Sequence, residues 1–125
     1  MTTKLQRPRF LDLLKIHMPV GAVASFGHRI SGLLLVLSIP FGLYLLDLSL
    51  RSPQGFAQVA HWLTGIGAHL LLILLGWLLF HHLLGGIRYL AIDMDWGVAR
   101  DTARRSAWGV LAGGILLGLL MGLGL

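Results

Sequence analysis

From Ser52 to Ile87 the chain runs through 36 consecutive residues without an Asp, Glu, Lys or Arg. About 20 apolar residues, each rising 1.5 Å in a helix, already cross a bilayer core of roughly 30 Å. The rest of the chain agrees. Of its 125 residues 56% are hydrophobic and 12% charged, and mean hydropathy is +0.80. A soluble domain of this size and composition would lack the polar surface to cover itself. The expectation is an all-α integral membrane protein.

Three transmembrane helices are predicted, at about 19–50, 61–92 and 106–125, forming part of a heteromeric helix bundle. Pro19 suits a first helical turn, where its missing N–H would be unpaired anyway. Pro40 should bend the first span mildly, which membrane helices tolerate. Arg51-Ser52-Pro53-Gln54-Gly55 is the first turn. Residues 1–18 hold Lys4, Arg7, Arg9, Asp12, Lys15 and His17 with no continuous apolar core, and read as a solvated arm preceding the membrane domain at 19–125.

Lys4, Arg7, Arg9 and Lys15 precede the first span, and Arg100, Arg104 and Arg105 lie between the second and third. The other loop holds only Arg51. The positive-inside rule then places the N-terminus in the cytoplasm and the C-terminus in the periplasm of a bacterial inner membrane. The net charge of +5 is explained by these segment ends, so no nucleic-acid partner is expected. The chain has no cysteine, which excludes disulfides and thiolate metal sites and leaves histidine to hold any metal. Gly109, Gly113, Gly114, Gly118 and Gly122 form a small-residue stripe on the third span, which lets helices approach closely, within the chain or with a partner.

Ionisable groups inside a span are costly and draw attention to two clusters. The first is Ser25-Phe26-Gly27-His28-Arg29-Ile30-Ser31-Gly32. Ser25 and Arg29, four apart, share a helix face. A hydroxyl and a guanidinium there can hydrogen-bond a carbonyl oxygen and stabilise charge that develops on its reduction. His28 and Arg29 together can neutralise a carboxylate such as a haem propionate. The plainer reading is an arginine snorkelling to headgroups beside an interfacial histidine. Gly32 leaves a notch one turn beyond His28.

The second cluster is His81-His82-Leu83-Leu84-Gly85-Gly86-Ile87-Arg88-Tyr89, continuing to Asp93. His82, Gly86, Tyr89 and Asp93 fall on one stripe, and His82 lies about 9 Å deeper than Arg88. An imidazole at that depth needs a partner: iron is one, a backbone carbonyl another. Gly85 and Gly86 leave the space that a flat macrocycle requires. His81 points about 100° away from His82, and His69 to roughly the opposite side. A haem held by two histidines of this chain is therefore not an obvious construction.

Arg7-Pro8, the Ser25-x-x-His28-Arg29-x-Ser31-Gly32 block and His82-x-x-x-Gly86-Ile87-Arg88-x-x-x-x-Asp93 resemble the cytochrome b membrane-anchor subunit of succinate dehydrogenase, the succinate:quinone oxidoreductase of the citric acid cycle and respiratory chain. The resemblance covers nearly the whole chain. It implies a four-subunit enzyme: a flavoprotein subunit with FAD, an iron–sulfur subunit, and two small anchors that share one haem b and reduce ubiquinone at the membrane face. This chain would then carry no succinate-oxidising chemistry of its own. By position His82 matches the axial haem ligand, Ser25 and Arg29 the quinone-binding residues, and His28 with Arg29 the residues near the propionates. Arg88, Tyr89 and Asp93 are possible supporting residues. Two departures stand out. Tyr89 replaces the histidine usual after Gly-Ile-Arg, and Gly27 replaces a larger apolar residue, leaving room in the pocket. The competing readings are a structural anchor without redox groups and the anchor of a fumarate reductase. No span carries a mid-membrane charge or an inverted repeat, which argues against a transporter.

Overall fold

The computed structural model describes residues 17–124, so most of the N-terminal arm, including Lys4, Arg7, Pro8, Arg9, Asp12 and Lys15, lies outside the described residues. Four helices follow in order: α1 Val20–Arg51, α2 Pro53–Leu63, α3 Ile66–Asp93 and α4 Arg100–Gly124. Three of them, α1, α3 and α4, are long and apolar enough to cross a membrane.

Pro19 stands just before α1, and its carbonyl accepts from the amides of Ala22 and Val23. The helix runs without interruption through Pro40. At its far end Ser52 adopts an extended conformation and its hydroxyl accepts from the Gly55 amide, capping α2, whose first residue is Pro53. Cap hydroxyl and N1 proline are the residue types a helix start calls for. The predicted second span began at 61. Instead, α2 is a separate amphipathic helix ending at Leu63, and α3 starts at Ile66. Thr64 and Gly65 make the break: Gly65 is extended, and the Thr64 hydroxyl turns back to the His61 carbonyl. At the other end, α4 begins at Arg100, six residues before the expected 106.

The end of α3 is closed by two crossed bonds, Trp96 N–H to the Ala91 carbonyl and Asp95 N–H to the Ile92 carbonyl. Asp95 takes φ 60° between them. This is a Schellman closure with aspartate, one of the few non-glycine residues at ease in the left-handed region, at its turning position.

Helix α4 packs most extensively on α3, and α1 lies against both. The contact with α3 is built on glycine. A Cβ on Gly114 would lie 3.0 Å from His81 Cβ, and one on Gly118 would lie 2.6 Å from Trp77 Cα. Gly122 meets Ile73 in the same way. The stripe therefore serves packing within the chain. Gly109, by contrast, faces open space. At the end where α1 begins and α3 finishes, Arg88 Nε donates to Ser106 Oγ at 3.0 Å and its terminal nitrogen to the Ala103 carbonyl at 3.1 Å. Outward, every spanning helix exposes large apolar side chains, among them Phe26, Leu33 and Phe41 of α1. Such surface suits lipid or partner helices and not water.

Candidate functional site

The two polar clusters meet where α1 crosses α3. The His28 and His82 rings stack with centroids 4.1 Å apart and planes 7° apart. Each ring occupies a glycine notch on the opposite helix. A Cβ on Gly32 would come within 2.7 Å of His82 Cε1, and one on Gly85 within 2.8 Å of His28 Cδ2. The space expected to serve a macrocycle at Gly85 is thus filled by an imidazole from α1, because the missing side chains let the two helices close on each other.

His82 Nδ1 lies 3.0 Å from the His28 carbonyl and 3.2 Å from Ser31 Oγ. A carbonyl only accepts, and the Ser31 hydroxyl already donates to that same carbonyl at 2.9 Å. The proton must therefore sit on Nδ1, which donates to both oxygens. That fixes the tautomer and leaves the Nε2 lone pair free. Among the described residues Nε2 has no hydrogen-bond partner, yet it is not one of the buried unpartnered atoms. It lies 3.6 Å from the Cβ position of Gly32 on α1. The His28 stack does not obstruct it, since the lone pair lies in the ring plane and the stack covers a face. A histidine whose Nδ1–H is anchored on backbone and whose Nε2 is bare is the arrangement metal-ligating imidazoles adopt. The residues fit an axial haem ligand at His82.

Ser25 is half-buried and Arg29 exposed, both on α1. Neither side chain makes a hydrogen bond among the described residues. Tyr89 sets its ring edge-on to His28 at 5.3 Å, and its buried hydroxyl finds no partner among the described residues. Arg88 is committed to α4 as described, and Asp93, the last residue of α3, is exposed. No group of three or more metal-ligating side chains occurs among the described residues. A metal held here would need a ligand from outside the described residues.

His81 is the residue that sequence reasoning undervalued. It is fully buried, at 0% exposure, and both ring nitrogens lack a hydrogen bond. Its ring faces the Ala24 backbone without completing a bond, and Trp77 leans on it at 5.7 Å. A Cβ on Gly27 would come within 2.6 Å of its Nε2. The room left by Gly27 is therefore taken by His81 and does not enlarge a ligand pocket. The signal was present in the sequence as a glycine on one span and a second histidine on the next, but linking them requires the helix register.

Comparison with known proteins agrees with this architecture. Residues 3–121 match the model of the succinate dehydrogenase/fumarate reductase transmembrane subunit family. The chain is 40% identical over 107 residues to a succinate dehydrogenase cytochrome b556 subunit from Coxiella burnetii (strain RSA 493 / Nine Mile phase I), covering 84% of this chain and 85% of that protein. It is 33% identical over 120 residues to the subunit of the same name from Paracoccus denitrificans, covering 91% and 88%. With a match across nearly its full length, paired histidines at the α1–α3 crossing and three spanning helices, the chain belongs to the succinate dehydrogenase/fumarate reductase transmembrane subunit family.

Proposed function

We propose that this chain anchors a succinate:quinone oxidoreductase in the membrane, supplies one axial ligand to haem b, and forms part of the site where ubiquinone is reduced. The observation that carries the reading is the state of His82: Nδ1 tied to the His28 carbonyl and Ser31, Nε2 without a hydrogen-bond partner among the described residues. When bound, haem b supplies a one-electron redox centre within the membrane domain. Haem b would be shared with a second small anchor, whose side chain would supply the other ligand. The relatives' names, as cytochrome b556 subunits of succinate dehydrogenase, support this reading over the fumarate reductase alternative. Flavoprotein and iron–sulfur subunits complete the enzyme and carry its FAD and iron–sulfur clusters.

Arg29 and Ser25 do the work at the quinone. Both belong to the first third of α1, four residues apart and exposed or half-exposed. The guanidinium and the hydroxyl donate to one quinone oxygen and hold the negative charge that forms there as electrons arrive from the iron–sulfur subunit. Charge-assisted hydrogen bonds in a low-dielectric site are strong. By comparison with removal of a single preorganised donor at a developing anion, Arg29→Ala should lower kcat/KM for quinone about 100-fold. Ser25→Ala, which loses one neutral bond, should cost about tenfold. Assay of purified complex with succinate and a soluble quinone reads both. Unchanged quinone reduction in Arg29→Ala would refute the assignment. An unchanged haem spectrum would show that a lost activity is not a lost fold.

The proposed topology puts the α1 start, the α3 end and the α4 start on the cytoplasmic face of a bacterial inner membrane. The chain has no cysteine, so a single introduced thiol reports its own side. In intact spheroplasts a membrane-impermeant maleimide should label Gln54→Cys in α2 and leave Asp95→Cys untouched until the membrane is opened. The reverse pattern would invert the topology.

A further inference from the structure

A second feature lies apart from the histidine crossing. At the end of the bundle where α1 and α4 begin and α3 finishes, the three helices enclose a groove of about 770 Å³. Among the described residues its walls carry Arg88, Arg100 and Arg104 against one carboxylate, Asp101. Ser25, Arg29 and His82 do not line it. Arg88 forms the inner wall. Two of its five N–H donors are spent on Ser106 and Ala103, which fixes the guanidinium, and its terminal nitrogen would lie 4.0 Å from a Cβ on Gly21. The remaining N–H groups have no partner among the described residues. Arg100 and Arg104 are exposed and one helical turn apart on α4. The groove also has an apolar side: Met18 and Trp108 line it and are 49% and 57% exposed.

We infer that this groove is a binding site for the phosphate headgroup of an anionic phospholipid. Preorganised guanidinium groups recognise phosphate oxygens through paired N–H donors. Basic pockets between spanning helices at a membrane face bind anionic headgroups. The exposed indole of Trp108 is the side chain expected at the headgroup level, where one end of a residue is wet and the other greasy. A free phosphate would use the arginines but has no need of Trp108 and Met18. A lipid uses both, its acyl chains running down the apolar surface of α4. The volume is in the range of small-molecule ligand sites.

The test uses the whole purified complex, reconstituted in phosphatidylcholine nanodiscs doped with phosphatidylglycerol, with bound phosphatidylglycerol counted by native mass spectrometry. Each arginine at the groove should contribute about fivefold to apparent affinity, so Arg100→Gln with Arg104→Gln should weaken retention about 25-fold. Asp101→Asn removes the opposing charge and should tighten it about fivefold, a gain that no folding defect can mimic. Arg105→Gln removes one charge, as each of the two groove substitutions does, at an exposed residue that does not line the groove, and should leave retention within twofold. Equal loss in Arg105→Gln and in the double variant would reduce the effect to general surface charge and overturn the site. Displacement by millimolar inorganic phosphate would identify a free-phosphate site. Loss of the iron–sulfur subunit from the double variant with lipid retention unchanged would make the groove a protein-docking surface. Either of these last two results overturns the lipid assignment. Neither Arg100 nor Arg104 is used in the quinone reading, so quinone reduction by detergent-solubilised complex should persist in the double variant.

Discussion

Replacing His82 by alanine is expected to abolish the b-type haem absorption of the succinate-reduced complex. The expectation follows from what the ring does. Its Nδ1–H is spent on the His28 carbonyl and Ser31, and its Nε2 is the nitrogen left without a hydrogen-bond partner among the described residues. Alanine offers no ligand, and the nearest imidazole cannot substitute. His28 lies parallel to the vacated ring at 4.1 Å, and its Nε2 sits against Gly86 on α3, whereas His82 Nε2 sits against Gly32 on α1. His81 is the sharper control. It neighbours His82 in sequence, but its nitrogens are sealed between α1 and α4, with Gly27 and Gly114 in contact. Iron could reach it only by prising the helices apart. His81→Leu should therefore keep the haem bands. It should also cost little stability, since it removes a buried polar group that has no bond to lose. A spectrum that survives in His82→Ala and vanishes in His81→Leu would transfer the ligand assignment to the wrong-facing neighbour and undo the reading of the tautomer.

That comparison also marks how far the sequence could be read. The three spans were legible because hydropathy and length alone specify them, and the charges of the 88–105 region mark one bundle end. The break between α2 and α3 was not, because no charge occurs from Ser52 to Ile87 to mark an interface. Only Thr64-Gly65 signals it, and one glycine in an apolar run is ambiguous. At the site, helical periodicity separates His82 from His81 by about 100°, yet it cannot say which of the two is enclosed. That depends on α4, whose glycines bring its backbone against His81, a relation among three helices that no single period contains. The same holds for Gly85. Its lack of a side chain is visible in the sequence, but that His28 fills the gap is a property of the crossing. The arginines show the opposite case. Arg88 reads as a supporting residue of the site until its bonds to Ser106 and Ala103 place it as a strut between α3 and α4.

The second large effect is expected at Gly118. A Cβ built there would sit 2.6 Å from both the Cα and the amide nitrogen of Trp77. These are backbone atoms on a helix and cannot rotate away, so even alanine must push α3 and α4 apart. Overpacking of this kind costs about 1–3 kcal/mol. Within lipid the loss is not cushioned, because helix association there rests on close van der Waals contact with no hydrophobic force behind it. Gly118→Ala should lower the thermal stability of the complex by that amount, and Gly118→Leu should prevent its accumulation in membranes altogether. The disturbance would not stay local. Trp77 leans on His81, and His81 fills the notch at Gly27, so a shift of α3 away from α4 bears on the α1 crossing where His82 is held. Haem content should therefore fall together with assembly in Gly118→Leu, whereas His82→Ala removes haem first. Gly109→Ala supplies the opposite sign: nothing lies within 4 Å of its Cβ position, and removing a glycine from a helix interior is worth about 0.5–1 kcal/mol. Immunoblots of membrane fractions and melting of purified complex measure all three. Gly118→Leu at wild-type levels would mean that α4 is held by something other than its glycine stripe, and the enclosure of His81 would need another cause.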